Sequence, residues 1–370
     1  MKQLLAAVLM TLSAGLAQAD LVYIGSQGNQ LNALGFDGAS GKLTNIGPVA
    51  QGLRPTWTIA HPQLPVLYAV DDQPGKEGSV SAFAINRATG ALSKLNDVPS
   101  GGAGVTYLWL DAPSNTLLAA NFGGGSASSI ALRSDGSLGA LVSTIKATGS
   151  GPHRRQASPH AHSVAVDPSG RYALVPDLGA DRVFVYPLAR ATHVLSPDDA
   201  GRSYAAVPGS GPRHLVFSAD GHFVWLLNEL TAAVTTLRWD AQAGRLSPLQ
   251  TLATSSAGFA GARSGAEIAA SPDGRFVYVE DRGESTLLVY RVNAATGELS
   301  LVQRIATGGE VPWAMAIHPS GRWLLVAHQR GGTVNLFSID PSSGLLANTG
   351  ESAAAPAAVS ITFVTQSHSE

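Results

Sequence analysis

Six polar or charged residues, His162, Arg213, Glu229, Glu267, Arg282 and Gln329, stand at three fixed positions of a repeated sequence pattern. Imidazole and carboxylate groups can move protons, and guanidinium groups can hold a developing oxyanion, so the set suits acid–base hydrolysis of a carbonyl compound. His160 and His214 add two imidazoles beside them. Trp313 offers a flat face of the kind that stacks on a sugar ring, whereas Trp57 is a weaker candidate because neighbours along a strand point to opposite faces. Taken singly, His162 reads as a structural histidine and Arg213 with Glu229 as an ion pair within one hairpin. Only their convergence makes a site.

Other chemistries find less support. The chain has no cysteine for a thiolate, no Gly-x-Ser-x-Gly elbow, no phosphate-binding glycine loop and no His-Glu-x-x-His pair. His160 and His162 could share a metal if His153 or Glu267 came near, but such sites usually add several carboxylates. Action without metal or cofactor is expected.

The elements that must position these residues come from an internal repeat. Segments starting at His162, Arg213, Ala266 and Trp313 each read as an apolar-alternating run, a Gly turn and a second β-rich run. Their turn glycines, Gly170, Gly221, Gly274 and Gly321, recur 47 to 53 residues apart, the length of one four-stranded propeller blade. Weaker copies start at Thr56 and Thr106, which makes six blades. The seventh is split: the strand from Leu21 lacks an inner partner, and the stretch from Pro356 supplies one. The expected fold is all-β, a seven-bladed β-propeller closed by pairing of N- and C-terminal strands in one blade.

Because the two strands of a hairpin run antiparallel, residues opening the first and following the second meet at one mouth of the channel. Eight residues before the turn the chain reads Thr56, Thr106, His162, Arg213, Ala266 and Trp313; eight after it, Asp72, Phe122, Leu178, Glu229, Arg282 and Gln329. Divergence at a fixed place is what a ligand site on a repeat scaffold requires. The column between, Asp71, Asn121, Asp177, Asn228, Asp281 and His328, is nearly all Asx and reads as turn-forming, with His328 the exception.

Composition limits the partners. Charged residues make up 14% and the formal net charge is -2, so no long-range field draws in nucleic acid or an anionic membrane, and a small molecule is expected. Residues 1–19 read as a secretory leader, with Lys2, an apolar stretch from Leu4 to Leu16, and Ala17-Gln18-Ala19 before the cut. That leaves 20–370 as one domain in the periplasm, with no membrane attachment after cleavage.

The stretches PHAHSVAVDPSGRYALVPDLGADRV, GSGPRHLVFSADGHFVWLLNEL, AEIAASPDGRFVYVEDRG and VPWAMAIHPSGRWLLVAHQ resemble the propeller lactonase family, which includes 6-phosphogluconolactonases and carboxy-muconate cyclases. The resemblance implies catalytic roles for His162, Arg213, Glu229 and Arg282, leaving His160, His214, Glu267, Trp313 and Gln329 as substrate-binding candidates. It implies a lactone substrate. Glu229 and His162 remain alternative general bases. Export favours glucono-1,5-lactone over its 6-phosphate, and Glu280-Asp281 beside Arg282, where relatives often carry Ser-Asn, adds acidity that argues the same way. Rival readings are a non-catalytic exported binding or scaffold propeller and a cycloisomerase acting on a muconate.

Overall fold

The computed structural model describes residues 19–365, so the expected leader lies outside the described residues apart from Ala19. Seven β-sheets form among the described residues, one per blade. The split sheet runs from Ala358–Val364 through Asp20–Ser26 and Gln30–Asp37 to Lys42–Gln51. Its closing pair is antiparallel, with Leu21 opposite Val364 and Ile24 opposite Ile361. Counting this blade as the first, the other six follow in chain order. Among the described residues helix is confined to one short 3-10 turn, Ala112–Ser114.

Apolar faces pack sheet against sheet around the ring, as where Val66, Tyr68 and Val80 of the second blade meet Leu108, Leu117 and Ile130 of the third. The closing strand is also tied sideways: Thr58 Oγ1 lies 2.7 Å from Thr362 Oγ1, and the Thr58 N–H donates to Ser360 Oγ at 3.1 Å. The first and last described strands are thereby both held in the ring. Gly170, Gly221, Gly274 and Gly321 have φ between +69° and +73°, a left-handed turn geometry in which a Cβ is strained. In the third blade Asn115 takes that conformation instead, at φ 52°.

The fourth blade is irregular. Its innermost strand is only Ala165–Val166, preceded by an isolated bridge between Ala161 and Asp177. His162 therefore lies outside regular strand, although its N–H still donates to the Pro176 carbonyl at 2.9 Å. The Asx column serves local structure: Asp177 Oδ1 accepts the N–H groups of His160 and Ala180, and Asp281 Oδ2 accepts the hydroxyls of Thr254 and Ser255. His328 sits in the same buried position and does not reach the channel mouth.

Candidate active site

A cavity of about 520 Å³ opens where the inner strands begin, and every blade contributes to its wall. The second blade supplies Arg54, Thr56, Trp57 and Asp72; the fourth, Arg155 and His162; the fifth, Arg213, His214 and Glu229; the sixth, Arg282; the seventh, Trp313. The first-column residue and its cross-strand neighbour thus face one space from several hairpins.

Glu229 is its centre. Its carboxylate meets Arg155 Nη1 at 2.5 Å, Arg213 Nε at 3.0 Å and Arg282 Nη2 at 3.1 Å, with His162 Nε2 at 3.6 Å. Burial alone would raise this carboxyl, but the guanidinium groups of Arg282, Arg213 and Arg155 overrule it and hold Glu229 far below the usual range. A carboxylate so held is a poor proton acceptor at neutral pH. Three cations to one anion leave the wall positive, ready for an anionic or oxyanion-bearing ligand.

Arg213 is almost fully buried, and its Nη1 lies 3.4 Å from both ring nitrogens of His214. His214 Nδ1 meets Glu267 Oε1 at 2.5 Å. Burial, and then the Arg213 charge, push both His162 and His214 well below the ordinary histidine value, so both rings are neutral at pH 7. Burial pushes Glu267 up to about 7.

Arg282 is fixed by Ser264 Oγ, 2.8 Å from Nη2, and by the Trp313 ring, whose centroid lies 4.4 Å from the guanidinium carbon. One face of the expected sugar-stacking surface is thus already covered by a cation. Trp57 stacks on Tyr107 with centroids 4.1 Å apart.

The remaining expected residues stand behind the wall. His160 stacks on Phe122 at 4.5 Å and its Nδ1 lies 2.8 Å from the Phe122 carbonyl oxygen, so it positions a wall residue without lining the cavity. Gln329 donates to Gln27 Oε1 at 2.6 Å, and Gln27 lines the cavity in its place. Glu267 lies behind His214. Sequence reasoning missed Arg155 because it sits in a loop with no counterpart in other repeats; its only signal was the Arg154-Arg155 pair just before His160. It also passed over Arg54, whose Nη1 pairs with Asp72 Oδ2 at 2.6 Å across the ring from Glu229.

Residues 21–363 match the family described as lactonase, 7-bladed beta-propeller. The chain belongs to this lactonase family. It is 31% identical over 312 residues to a 6-phosphogluconolactonase of Bacillus subtilis (strain 168), covering 84% of this chain and 88% of that protein. A 6-phosphogluconolactonase of Formosa agariphila is 28% identical over 348 residues, 92% of this chain and 97% of its own. The structure of a periplasmic gluconolactonase from Pseudomonas aeruginosa superposes with a TM-score of 0.87 at 33% identity, covering 94% of this chain and 99% of that one. This propeller lactonase is an enzyme, a carboxylic ester hydrolase whose relatives act on sugar lactones.

Proposed function

We propose that this lactonase opens an unphosphorylated aldonolactone of the glucono-1,5-lactone type outside the cytoplasm, with His162, Arg213, Glu229 and Arg282 at the reacting end of its cavity. The observation that carries the reading is the triple guanidinium grip on Glu229 beside two neutral imidazoles. Water adds to the lactone carbonyl carbon and the π pair moves onto the carbonyl oxygen. Arg213 and Arg282 neutralise that oxyanion, and Glu229 holds both in place rather than accepting the proton. A neutral imidazole takes the proton from water and returns it to the ring oxygen as the carbon–oxygen bond breaks, giving the aldonate. Across the cavity the Arg54–Asp72 pair, Thr56 and Thr106 offer donors and acceptors for the hydroxyls of the sugar.

Location outside the cytoplasm rests on the leader-like residues 1–19 and on the periplasmic character of the Pseudomonas aeruginosa neighbour. Mass spectrometry of protein from its host tests it: a mature chain starting at Asp20 is expected, and a chain retaining Met1 in the cytoplasm removes this support for an unphosphorylated substrate. A phosphorylated substrate has its own support. The Arg155 side chain is 41% exposed at the cavity, where it could meet a phosphate. The acidity of Glu280-Asp281 does not count against phosphate, because Glu280 is fully buried, with its carboxyl pushed well above the usual range by that burial, while Asp281 is consumed by local hydrogen bonds. A pH-stat assay of the mature protein against glucono-1,5-lactone, its 6-phosphate and a simple aliphatic δ-lactone decides between them. Preference for the unphosphorylated sugar is expected; no rate above spontaneous hydrolysis with any of the three ends the reading.

A further inference from the structure

With Glu229 too acidic to accept a proton, the water needs another base. Two imidazoles stand on the wall, and their surroundings differ. His162 points Nε2 at Glu229, and its Nδ1 is buried with no hydrogen-bond partner among the described residues, so neither nitrogen offers a free lone pair to the cavity. His214 is built differently. Its Nδ1 is turned to Glu267, which lies behind the wall, so the lone pair of this lining ring falls on Nε2, whose one polar neighbour among the described residues is Arg213 Nη1 at 3.4 Å.

Everything around the ring fixes it. Tyr107 and His162 meet it edge-on at 5.0 and 5.1 Å, Trp57 at 5.7 Å, and Arg213 Nη1 lies 3.4 Å from both of its nitrogens. Glu267 is in turn held by the Ile268 N–H at 3.0 Å, and both it and the ring are buried. A base backed by an orienting carboxylate is the arrangement that stabilises an imidazolium as it forms. We propose that His214 and Glu267 act as a proton-accepting pair, His214 Nε2 taking the proton of the attacking water and Glu267 fixing the Nδ1–H tautomer and balancing the charge. The proposal rests on the lactone-hydrolysis reading above.

In the step so assigned, the water oxygen bonds to the carbonyl carbon while its proton moves to Nε2. The tetrahedral adduct then expels the ring oxygen, which takes that proton back from Nε2, and the product acid loses its own proton to solvent. Nothing else is consumed. Glu267 is the positioning residue, since only His214 touches the reacting atoms.

The pair sits among opposing charges. Arg213, Arg282, His162 and Glu229 face the imidazole; Arg213, Glu280 and Tyr107 surround the carboxyl. Burial raises Glu267 to about 7, so turnover should climb as the pH passes that value and the carboxylate form appears. The test is the pH profile of kcat and KM for glucono-1,5-lactone with the parent, Glu267→Gln, Glu267→Asp and His162→Gln, each checked for folding by thermal melting. Glu267→Gln should lower kcat on the order of 10²-fold with KM little changed, and the rise near pH 7 should vanish. His162→Gln should keep that rise. An active parent whose Glu267→Gln variant retains both kcat and the rise overturns the pair while leaving the lactonase reading intact. A parent inactive on every lactone removes that reading and the pair with it. If the Gln variant does not fold, Glu267→Asp asks the same question, because it withdraws the carboxylate from the ring by one methylene; an unchanged kcat and profile overturn the proposal.

Discussion

The guanidinium of Arg282 lies 4.4 Å above the ring of Trp313, so a cation from the sixth blade is held in place by an aromatic wall of the seventh. A cation–π contact of this kind contributes about 0.5–2 kcal/mol. Trp313→Leu should therefore lower kcat/KM by roughly tenfold through a misplaced Arg282, with only a small change in Tm because the indole is partly exposed. Unchanged kinetics would show that Ser264 and Glu229 suffice to hold Arg282.

Glu229 separates structure from catalysis. Glu229→Ala leaves the buried Arg213 and Arg282 without their shared carboxylate and should cost about 3–5 kcal/mol of stability, read as a large drop in Tm. Glu229→Gln keeps the shape, and because Glu229 is ionised throughout the working range, the pH profile between 5 and 8 should keep its form. A limb in that range lost with the Gln variant would return the role of base to Glu229.

Arg213→Ala removes an oxyanion donor and should reduce turnover on the order of 10²–10³-fold. If Arg213 were only one half of an ion pair, activity would instead fall in proportion to the folded fraction, so folding and turnover must be measured on the same preparation.

Two buried carboxyls make stability fall with rising pH. Burial raises both Glu267 and Glu280, so the folded state keeps protons that the unfolded chain releases above its ordinary value of 4.5. The contribution is complete below 4.5 and is lost as the pH rises through the folded value, about 7 for Glu267, at up to roughly 3 kcal/mol for a group shifted that far. Neither oxygen of Glu280 has a hydrogen-bond partner among the described residues. Glu280→Met should therefore raise Tm at pH 8 and change it little at pH 4, a difference that scanning calorimetry at the two pH values would read directly.

Ring closure is testable by truncation. A chain ending at Ala354 loses the strand Ala358–Val364, exposing the edge of Asp20–Ser26 and leaving Thr58 without Ser360 and Thr362. Aggregation or a large loss of Tm is expected, and a truncated protein that melts like the parent would contradict the closure.

The propeller was legible in the sequence because a blade is a local object. Each hairpin is written in about twenty consecutive residues, and the left-handed turn at Gly170, Gly221, Gly274 and Gly321 leaves a periodic mark. The same periodicity located His162, Arg213, Glu229 and Arg282, since a repeat turns sequence offset into spatial position. What periodicity could not carry is whatever departs from the repeat. Arg155 comes from a loop peculiar to one blade, and only the packing of the fourth blade against the fifth brings it to Glu229. Whether an ionisable group faces the cavity or lies behind its wall depends on side-chain direction and on burial, which the offset does not encode. Glu229 and Glu267 are both glutamates at predicted site positions, yet three guanidiniums hold one far below the usual range while burial lifts the other to about 7. Charge state is a property of neighbours drawn from four blades, and so it was settled by the tertiary structure alone.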